Sequence, residues 1–255
     1  MDIDISDKVI LITGASRGIG KRVAFILAKE GASVIINYNK SWSEASHLLE
    51  EISVFNNKCM IIQCDVSKVI AVENMYKQIV IKYGHLDLLI NNAGISEDNS
   101  SYEMSEAIWK KVIDTNLTGC FLCSKEYIKL MKKNNRGKIL NIASLKGQEG
   151  SYRQCNYATS KAGVIAFTKS LAMEMGEHNI LINAICPGYI QTDLNCSKEY
   201  KEINAQRRSA IKEKYAIDDL VNFIIWYASD FLKGVSGQVF NLDSRIINEY
   251  IFEKM

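Results

Sequence analysis

The chain has 255 residues, of which 47% are hydrophobic and 24% charged, values that are ordinary for a soluble globular protein. Its 31 basic and 29 acidic residues leave a net charge of +2, so composition gives no reason to expect nucleic acid or an anionic membrane as a partner. The acidic start of the chain lacks a signal-peptide pattern, and no apolar run approaches the ~18 residues of a membrane span, so we expect a cytoplasmic protein.

The first predicted element is a strand at residues 8–13, a short apolar run rich in β-branched residues. It leads into a turn with Gly14, Gly18 and Gly20, and a helix ended by Gly31 is predicted over residues 21–30. Glycines let the backbone approach a pyrophosphate, whose charge then lies at the positive end of the helix. The order predicts a dinucleotide-binding unit, although the G-x-x-x-G-x-G spacing differs from the better-known G-x-G-x-x-G.

Residues 32–37 predict a second parallel strand, whose end is where folds that prefer NAD usually carry a carboxylate for the ribose 2′-hydroxyl. Here Asn37 is neutral, while Arg17 in the glycine turn and Lys40 beyond the strand could meet a 2′-phosphate. The pattern therefore favours NADP over NAD as the cofactor. The alternative is that Arg17 and Lys40 are only solvated surface charges.

Strands and helices continue to alternate along the rest of the chain. Helices are predicted at residues 43–55, 71–82, 103–130 and 157–176, and strands at 58–64, 86–91, 138–143 and 182–185, with a further strand at 239–242. No linker, low-complexity tract or internal repeat marks a second domain. We therefore predict a single α/β domain over residues 1–255, a Rossmann-type doubly wound parallel sheet with helices on both faces.

Tyr157 and Lys161 stand four residues apart in a predicted helix, which places a phenol and an amine on the same face. A nearby ammonium favours the phenolate and so lowers the pKa of a tyrosine, which would let the pair move a proton to or from a substrate oxygen. Taken alone, the pair is more often a chance meeting on a helix surface. The other motifs decide between these two interpretations.

Those motifs together resemble the short-chain dehydrogenases/reductases, from about residue 7 to residue 243. The resemblance rests on segments in the family's order and at about its spacing: Thr13-Gly-Ala-Ser-Arg-Gly-Ile-Gly20, Asn91-Asn-Ala-Gly94, Asn116, Ser144, Tyr157-x-x-x-Lys161 and Pro187-Gly188 with Thr192. It implies an enzyme that interconverts a carbonyl and an alcohol with a nicotinamide cofactor, NADP(H) here, and no metal.

The resemblance also implies a role for each catalytic residue. Tyr157 would give its proton to the carbonyl oxygen, and Ser144 would donate a hydrogen bond to the same oxygen. Lys161 would lower the pKa of Tyr157 and bind the nicotinamide ribose, and Asn116 would anchor a water that links Lys161 to solvent. The cofactor would be held by Gly14, Ser16, Arg17, Gly18, Ile19, Gly20, Asn37, Lys40, Asp65, Val66, Asn91, Ala93, Gly94, Tyr157, Lys161, Pro187, Gly188, Ile190 and Thr192.

Within this family, several segments resemble the bacterial 3-oxoacyl-acyl-carrier-protein reductases of fatty acid biosynthesis, among them residues 94–99, 116–123, 141–144 and 161–169. That likeness implies a ketone carried on an acyl carrier protein. Carrier proteins are acidic, so we expect a basic patch beside the active-site mouth. Candidates for part of it are Lys125, Lys129, Lys132, Lys133 and Arg136.

Two departures leave other substrates open. Met173 stands where those reductases commonly carry an arginine, and the predicted substrate lid at residues 189–215 is rich in Lys and Arg but poor in apolar residues. A reductase of a polar keto-sugar or sugar nucleotide is therefore one alternative, and a non-catalytic dinucleotide-binding protein is another.

Assembly and redox state complete the expectations. The resemblance implies a homotetramer paired through the helices that carry residues 116–131 and 157–175. The seven cysteines are an odd number in a chain too large to need disulfide bonds, so we expect them to be reduced.

Overall fold

A computed structural model describes residues 3–190, 209–211 and 216–244. The strands in these ranges form one seven-stranded parallel sheet in the order β3-β2-β1-β4-β5-β6-β7. Their bounds are β1 (Val9–Ile12), β2 (Ser33–Tyr38), β3 (Met60–Gln63), β4 (Leu88–Asn91), β5 (Gly137–Ile142), β6 (Ile180–Pro187) and β7 (Val239–Leu242). This is the doubly wound sheet that the alternating pattern predicts, and that prediction is confirmed.

The helices cover both faces of this sheet. They are α1 (Gly18–Lys29), α2 (Trp42–Ser53), α3 (Val69–Tyr83), α4 (Glu106–Ile113), α5 (Gly119–Lys133), α6 (Lys146–Glu149), α7 (Cys155–Met175) and α8 (Ala216–Ala228). A π-helical turn, Asp114–Thr118, joins α4 to α5 inside the single helix predicted there. Helix α8 was not predicted, although Leu220, Val221 and Ile224 recur at helical spacing and are buried.

Alternation along the strands divides the core into two layers. In β1, Ile10 and Ile12 pack into one buried cluster with α1, α2 and α8, whereas Val9 and Leu11 pack into the other with α3 and α5. Both clusters need apolar residues, so a strand with two covered faces is a continuous apolar run rather than an alternating one.

The strand order reverses beside β1, which pairs with β2 on one side and β4 on the other. Connections from the two neighbouring strands leave this point on opposite faces of the sheet, which opens a crevice at the strands' carboxyl ends. The sheet therefore decides where the functional site can lie.

Within the parts of the chain that the structure describes, no helix has both the length and the apolar character that crossing a bilayer requires.

Gly20 offers a test of how tightly α1 packs on the glycine turn. A Cβ at this position would lie 2.6 Å from Asn92 Nδ2 and 2.7 Å from the Gly14 carbonyl oxygen. Because one of these atoms is backbone, Gly20→Ala should lower the free energy of unfolding by about 1–3 kcal/mol, measured by urea denaturation. Gly176→Ala is the matched control: Gly176 has φ −58° and no atom near its missing Cβ, so stability should be unchanged or slightly raised. Equal stabilities of the two variants would contradict the packing argument.

Candidate functional site

A cavity of about 1780 Å³ lies at the carboxyl ends of the strands. Its walls come from the segments that follow β1 to β6, which is the position expected for a ligand crevice in a doubly wound sheet. One end is formed by the turns after β1, β2 and β3, and the other by the segments after β4 and β5 and the start of α7.

The glycine turn forms the floor of the first end. Gly14 and Gly18 adopt positive φ angles of 62° and 56°, which favour glycine, and a Cβ on Gly14 would lie 2.8 Å from Ala93 Cα. Helix α1 begins here, and its N-cap residue, Arg17, makes no side-chain hydrogen bond to the first turn. The turn therefore presents backbone N–H groups and the positive end of a 12-residue helix to the cavity, which suits a pyrophosphate.

Thr13 and Asn92 tie β1 to β4 at the point where the strand order reverses. The Thr13 hydroxyl accepts hydrogen bonds from the backbone N–H groups of Asn92 and Ala93, both at 3.0 Å. The Asn92 amide in turn donates to the carbonyl oxygens of Thr13 and Gly14, at 2.9 and 3.0 Å. Sequence reasoning did not single out Asn92, and the signal was its place in the Asn91-Asn-Ala-Gly94 motif.

At the end of β2, Asn37 lines the cavity but makes its side-chain hydrogen bonds within the protein. Its side chain is buried, its oxygen accepts from the Gly14 N–H at 3.1 Å, and its amide nitrogen donates to the carbonyl oxygens of Ile62 and Cys64. The amide therefore holds the glycine turn against β2 and β3, because a residue at a buried parallel strand must satisfy its polar atoms within the protein.

The cations that could meet a 2′-phosphate do lie at this end. Arg17 and Lys40 both line the cavity and are exposed, and Asn39 and Ser41 line it too. Neither cation forms an ion pair with a residue in ranges 3–190, 209–211 or 216–244. An anion bound here would not have to displace a carboxylate from either side chain.

Asp65 and Val66 line the cavity just beyond β3, as predicted. Burial raises the pKa of the Asp65 carboxyl, but two hydrogen bonds from Ser67, at 2.7 and 3.0 Å, together with the charge of Lys68 and a hydrogen bond with Asn39, outweigh this effect and leave the pKa below its usual value. Asp65 is thus held as an ion whose acceptor oxygens are partly used within the loop.

Most of the remaining predicted cofactor residues also line the cavity, but Gly20 and Asn91 do not. Gly20 lies behind the turn and packs against Asn92, and Asn91 lies beneath the cavity, where its amide donates to Ser124 and Asn141. Thr192 falls outside the described residues, as does nearly all of the predicted lid at 189–215. The predicted residues that do line the cavity are Gly14, Ser16, Arg17, Gly18, Ile19, Asn37, Lys40, Asp65, Val66, Ala93, Gly94, Ser144, Tyr157, Lys161, Pro187, Gly188 and Ile190.

Ser144, Tyr157 and Lys161 meet where β5 ends against α7. Ser144 follows the last residues of β5, and Tyr157 and Lys161 lie one turn apart in α7, so the predicted shared helix face is confirmed. The Lys161 ammonium donates a 2.6 Å hydrogen bond to the Ile142 carbonyl oxygen and lies 5.8 Å from the centre of the Tyr157 ring. Two hydroxyls and an ammonium are thereby brought together around one point of the cavity.

Burial moves both titrating groups towards their neutral forms. It raises the pKa of the Tyr157 phenol, and a hydrogen bond with Ser144 opposes that change. It also lowers the pKa of Lys161 to about 8, since the residue is only 4% exposed. A lowering of the tyrosine pKa by Lys161 stays a prediction.

Asn116 does not line the cavity, but its hydrogen bonds hold together two segments that form the cavity wall. It lies in the π-helical turn, a distortion common at functional sites, and its amide donates to Ile95 O and Ser160 Oγ, both at 3.0 Å. Its oxygen accepts from the Ile95 N–H at 2.8 Å. Because both amide protons are used, Asn116 fixes the loop after β4 to α7, and its role in anchoring a water stays a prediction.

Comparison with known proteins agrees with this geometry. The profile described as short chain dehydrogenase matches residues 8–203. The chain belongs to the short chain dehydrogenase family. Its relatives include proteins named 3-oxoacyl-[acyl-carrier-protein] reductase FabG from Staphylococcus aureus, 40% identical over 240 residues (92% of this chain, 96% of the relative), and from Staphylococcus epidermidis, 37% identical over 238 residues (93% and 98%). A Synechocystis protein named 3-oxoacyl-[acyl-carrier-protein] reductase is 36% identical over 247 residues (95% and 98%).

In this short chain dehydrogenase, the wall opposite the glycine turn is polar. Gln154 is buried, and its amide donates to the Ser96 hydroxyl at 2.8 Å and to Asp98, while its oxygen accepts from Ser151 and from the Lys146 ammonium. Sequence reasoning did not find Gln154, whose signal was a polar residue directly before the helix that carries Tyr157.

The five cations predicted to form part of a basic patch do not line the cavity. Lys132 and Lys133 lie in the last turn of α5, and Arg136 pairs with Asp87 at 2.7 Å just before β4 begins. Because α5 starts at the cavity and runs ~22 Å along the sheet, its last turn reaches the amino ends of the strands. Lys129 pairs with Glu126 at 2.7 Å, and none of the five predicted cations lines the cavity.

Burial of Lys161 predicts a pH dependence of stability. Its folded pKa of about 8 lies below its ordinary value, so between pH 8 and that value the unfolded chain binds more protons and stability rises with pH. Relative to Lys161→Met, which has no titrating group, the wild type should gain about 2 kcal/mol of unfolding free energy from pH 8 to pH 10. Chemical denaturation of both proteins across this range measures the difference, and a difference independent of pH would contradict the shift.

Proposed function

We propose that this protein is an NADPH-dependent ketone reductase whose substrate is a 3-oxoacyl thioester carried on acyl carrier protein. The observation that carries the proposal is the meeting of Ser144, Tyr157 and Lys161 at one point of a cavity whose other end suits a dinucleotide. Family membership supports the redox chemistry, and the names of the relatives support the acyl-carrier-protein substrate.

The chain's own residues would perform the proton chemistry. When bound, a reduced nicotinamide supplies a hydride to the carbonyl carbon. Tyr157 would donate its phenolic proton to the carbonyl oxygen, while Ser144 would donate a hydrogen bond that stabilises the charge developing there. Lys161, fixed on the Ile142 carbonyl, would stabilise the phenolate that remains and return a proton to it. A lysine whose pKa is about 8 can exchange protons near neutral pH.

The choice of NADP over NAD rests on the adenosine end of the cavity. Arg17 and Lys40 would bind a 2′-phosphate. At the end of β2, where a carboxylate would bind the ribose 2′-hydroxyl of NAD, this chain has Asn37, whose amide is turned into the protein. Gly14, Gly18 and the start of α1 would hold the pyrophosphate, and Asp65 and Val66 would border the adenine.

A polar ketone, such as a keto-sugar, is the second candidate. It is favoured by the polar wall formed by Ser96, Asp98, Lys146 and Gln154, which offers hydrogen-bonding groups rather than an apolar slot. A panel with NADPH that sets acetoacetyl thioesters against keto-sugars distinguishes the two. Reduction of thioesters alone would exclude the second candidate, and reduction of neither would favour a non-catalytic binding protein.

Assembly and location complete the proposal. We infer a homotetramer that works in the cytoplasm. The exposed apolar residues Phe121 on α5 and Met173 on α7, 45% and 86% exposed, support pairing through these helices. The six cysteines in the described ranges are all free, which suits a reducing compartment.

Removal of the phenolic hydroxyl tests the proton donor. Tyr157→Phe should reduce turnover of an acetoacetyl thioester about 10²–10⁴-fold, because the group that gives its proton to the carbonyl oxygen is lost, while NADPH binding stays within a few-fold of wild type. Ser144→Ala should lose about 10²–10³-fold. Tyr152→Phe, at a tyrosine 91% exposed on the cavity rim, is the control and should be fully active. Steady-state rates and fluorescence titration of NADPH measure both properties, and near-normal turnover by Tyr157→Phe would refute the mechanism.

Replacing the two cations at the adenosine end tests cofactor choice. Arg17→Ala and Lys40→Ala should each lower kcat/KM for NADPH about tenfold, since a charge-assisted hydrogen bond to phosphate is lost, and leave kcat/KM for NADH nearly unchanged. Lys29→Ala, at the far end of α1, is the matched control and should change neither. Equal losses with NADPH and NADH would show that these side chains do not read the 2′-phosphate.

A further inference from the structure

Two ammonium groups approach the ring of Tyr157. Lys161 lies 5.8 Å from the ring centre and is buried, so its surroundings are set by the protein. Lys146 lies 6.0 Å from the same ring centre, is half-buried and lines the cavity. The mechanism above uses Lys161 and assigns no role to Lys146.

The backbone of Lys146 is fixed beside the Ser144 hydroxyl. Its N–H donates to Ser144 Oγ at 3.3 Å, and the preceding residue, Leu145, is buried. The following residue, Gly147, lies so close to α7 that a Cβ would be 2.7 Å from the Ala162 nitrogen. Helix α6 is therefore pressed on α7, and the side chain of Lys146 leaves from a position that cannot shift relative to Tyr157.

The side chain is directed along the cavity wall by Gln154. The ammonium donates to the Gln154 oxygen, and the Gln154 amide is itself held by Ser96 and Asp98 on the loop after β4. The Lys146 ammonium thus lies close to the position that one substituent of the reacting ketone would occupy. An alkyl group there would remove water from the ammonium without replacing its hydrogen bonds, whereas an oxygen acceptor would replace them.

We propose that Lys146 is a specificity-determining residue that donates a hydrogen bond to a second carbonyl oxygen of the substrate, two carbons from the ketone. A 3-oxoacyl thioester carries its thioester carbonyl at this separation, so the inference rests on the proposed function. Tyr157 and Ser144 bind the oxygen that is reduced, and Lys146 binds the oxygen that is not. Binding of both oxygens selects 1,3-dicarbonyl compounds over simple ketones. It also decides that the substituent carrying the second carbonyl is the one that faces α6.

The test compares Lys146→Met, which keeps the length of the side chain but removes its charge, with the wild type. With acetoacetyl-N-acetylcysteamine and NADPH, KM should rise about tenfold or more, because a hydrogen bond to a charged donor is lost, while kcat changes little. With cyclohexanone, which has no second carbonyl, kcat/KM should stay within about twofold of wild type. Lys146→Arg, which keeps a charged donor, should recover most of the thioester KM.

Controls separate this role from others. Lys110→Met removes another lysine that lines the cavity, one paired with Glu106 at 2.6 Å, and should leave the thioester KM unchanged. If Lys146→Met lowers kcat for both ketones and moves the pH profile, Lys146 acts through Tyr157 and the proposal is overturned. An unchanged thioester KM also overturns it. If the wild type itself reduces cyclohexanone but no thioester, the proposed function fails first, and this inference fails with it.

Discussion

The site depends on the junction between β1 and β4, where Thr13 and Asn92 bind the two halves of the sheet to each other. Four hydrogen bonds of 2.9–3.0 Å join the ends of these strands. The junction places the glycine turn, which follows β1, beside Ala93 and Gly94, which follow β4. These side-chain bonds add to the backbone pairing of β1 with β4, so the glycine turn and the segment after β4 keep a fixed separation although they belong to different halves of the sheet.

A second constraint is the burial of Lys161. Its ammonium is held by one carbonyl oxygen of β5, and burial lowers its pKa to about 8. Burying a charge with so few partners costs stability, and such a cost is typical of functional sites. In return, α7 is tied to the end of β5, and Tyr157 is held at the end of the strand that carries Ser144. In the proposed mechanism, stability and reactivity therefore oppose each other at Lys161.

The polar wall around Gln154 bears on the substrate. Gln154 connects the loop after β4, the start of α7 and Lys146, so the part of the cavity nearest Tyr157 is rigid and hydrogen-bonding. Such a wall suits the compact polar end of a thioester better than the apolar part of a long acyl chain. It also explains why a polar ketone remains a rational second candidate.

The sequence by itself determined the sheet, the glycine turn and the shared face of Tyr157 and Lys161, because each follows from a local period or a residue's own backbone preference. Tertiary structure decided the rest. Two residues that are neighbours in the sequence have different roles in the structure. Asn91 lies beneath the cavity, whereas Asn92 joins the end of β4 to the end of β1. Asn37 turned inwards to satisfy buried backbone atoms, and the length of α5 places Lys132 and Lys133 in its last turn, away from the cavity. Lys146 gained its position from the packing of α6 on α7. These outcomes depend on contacts between segments distant in the chain, which no local pattern encodes.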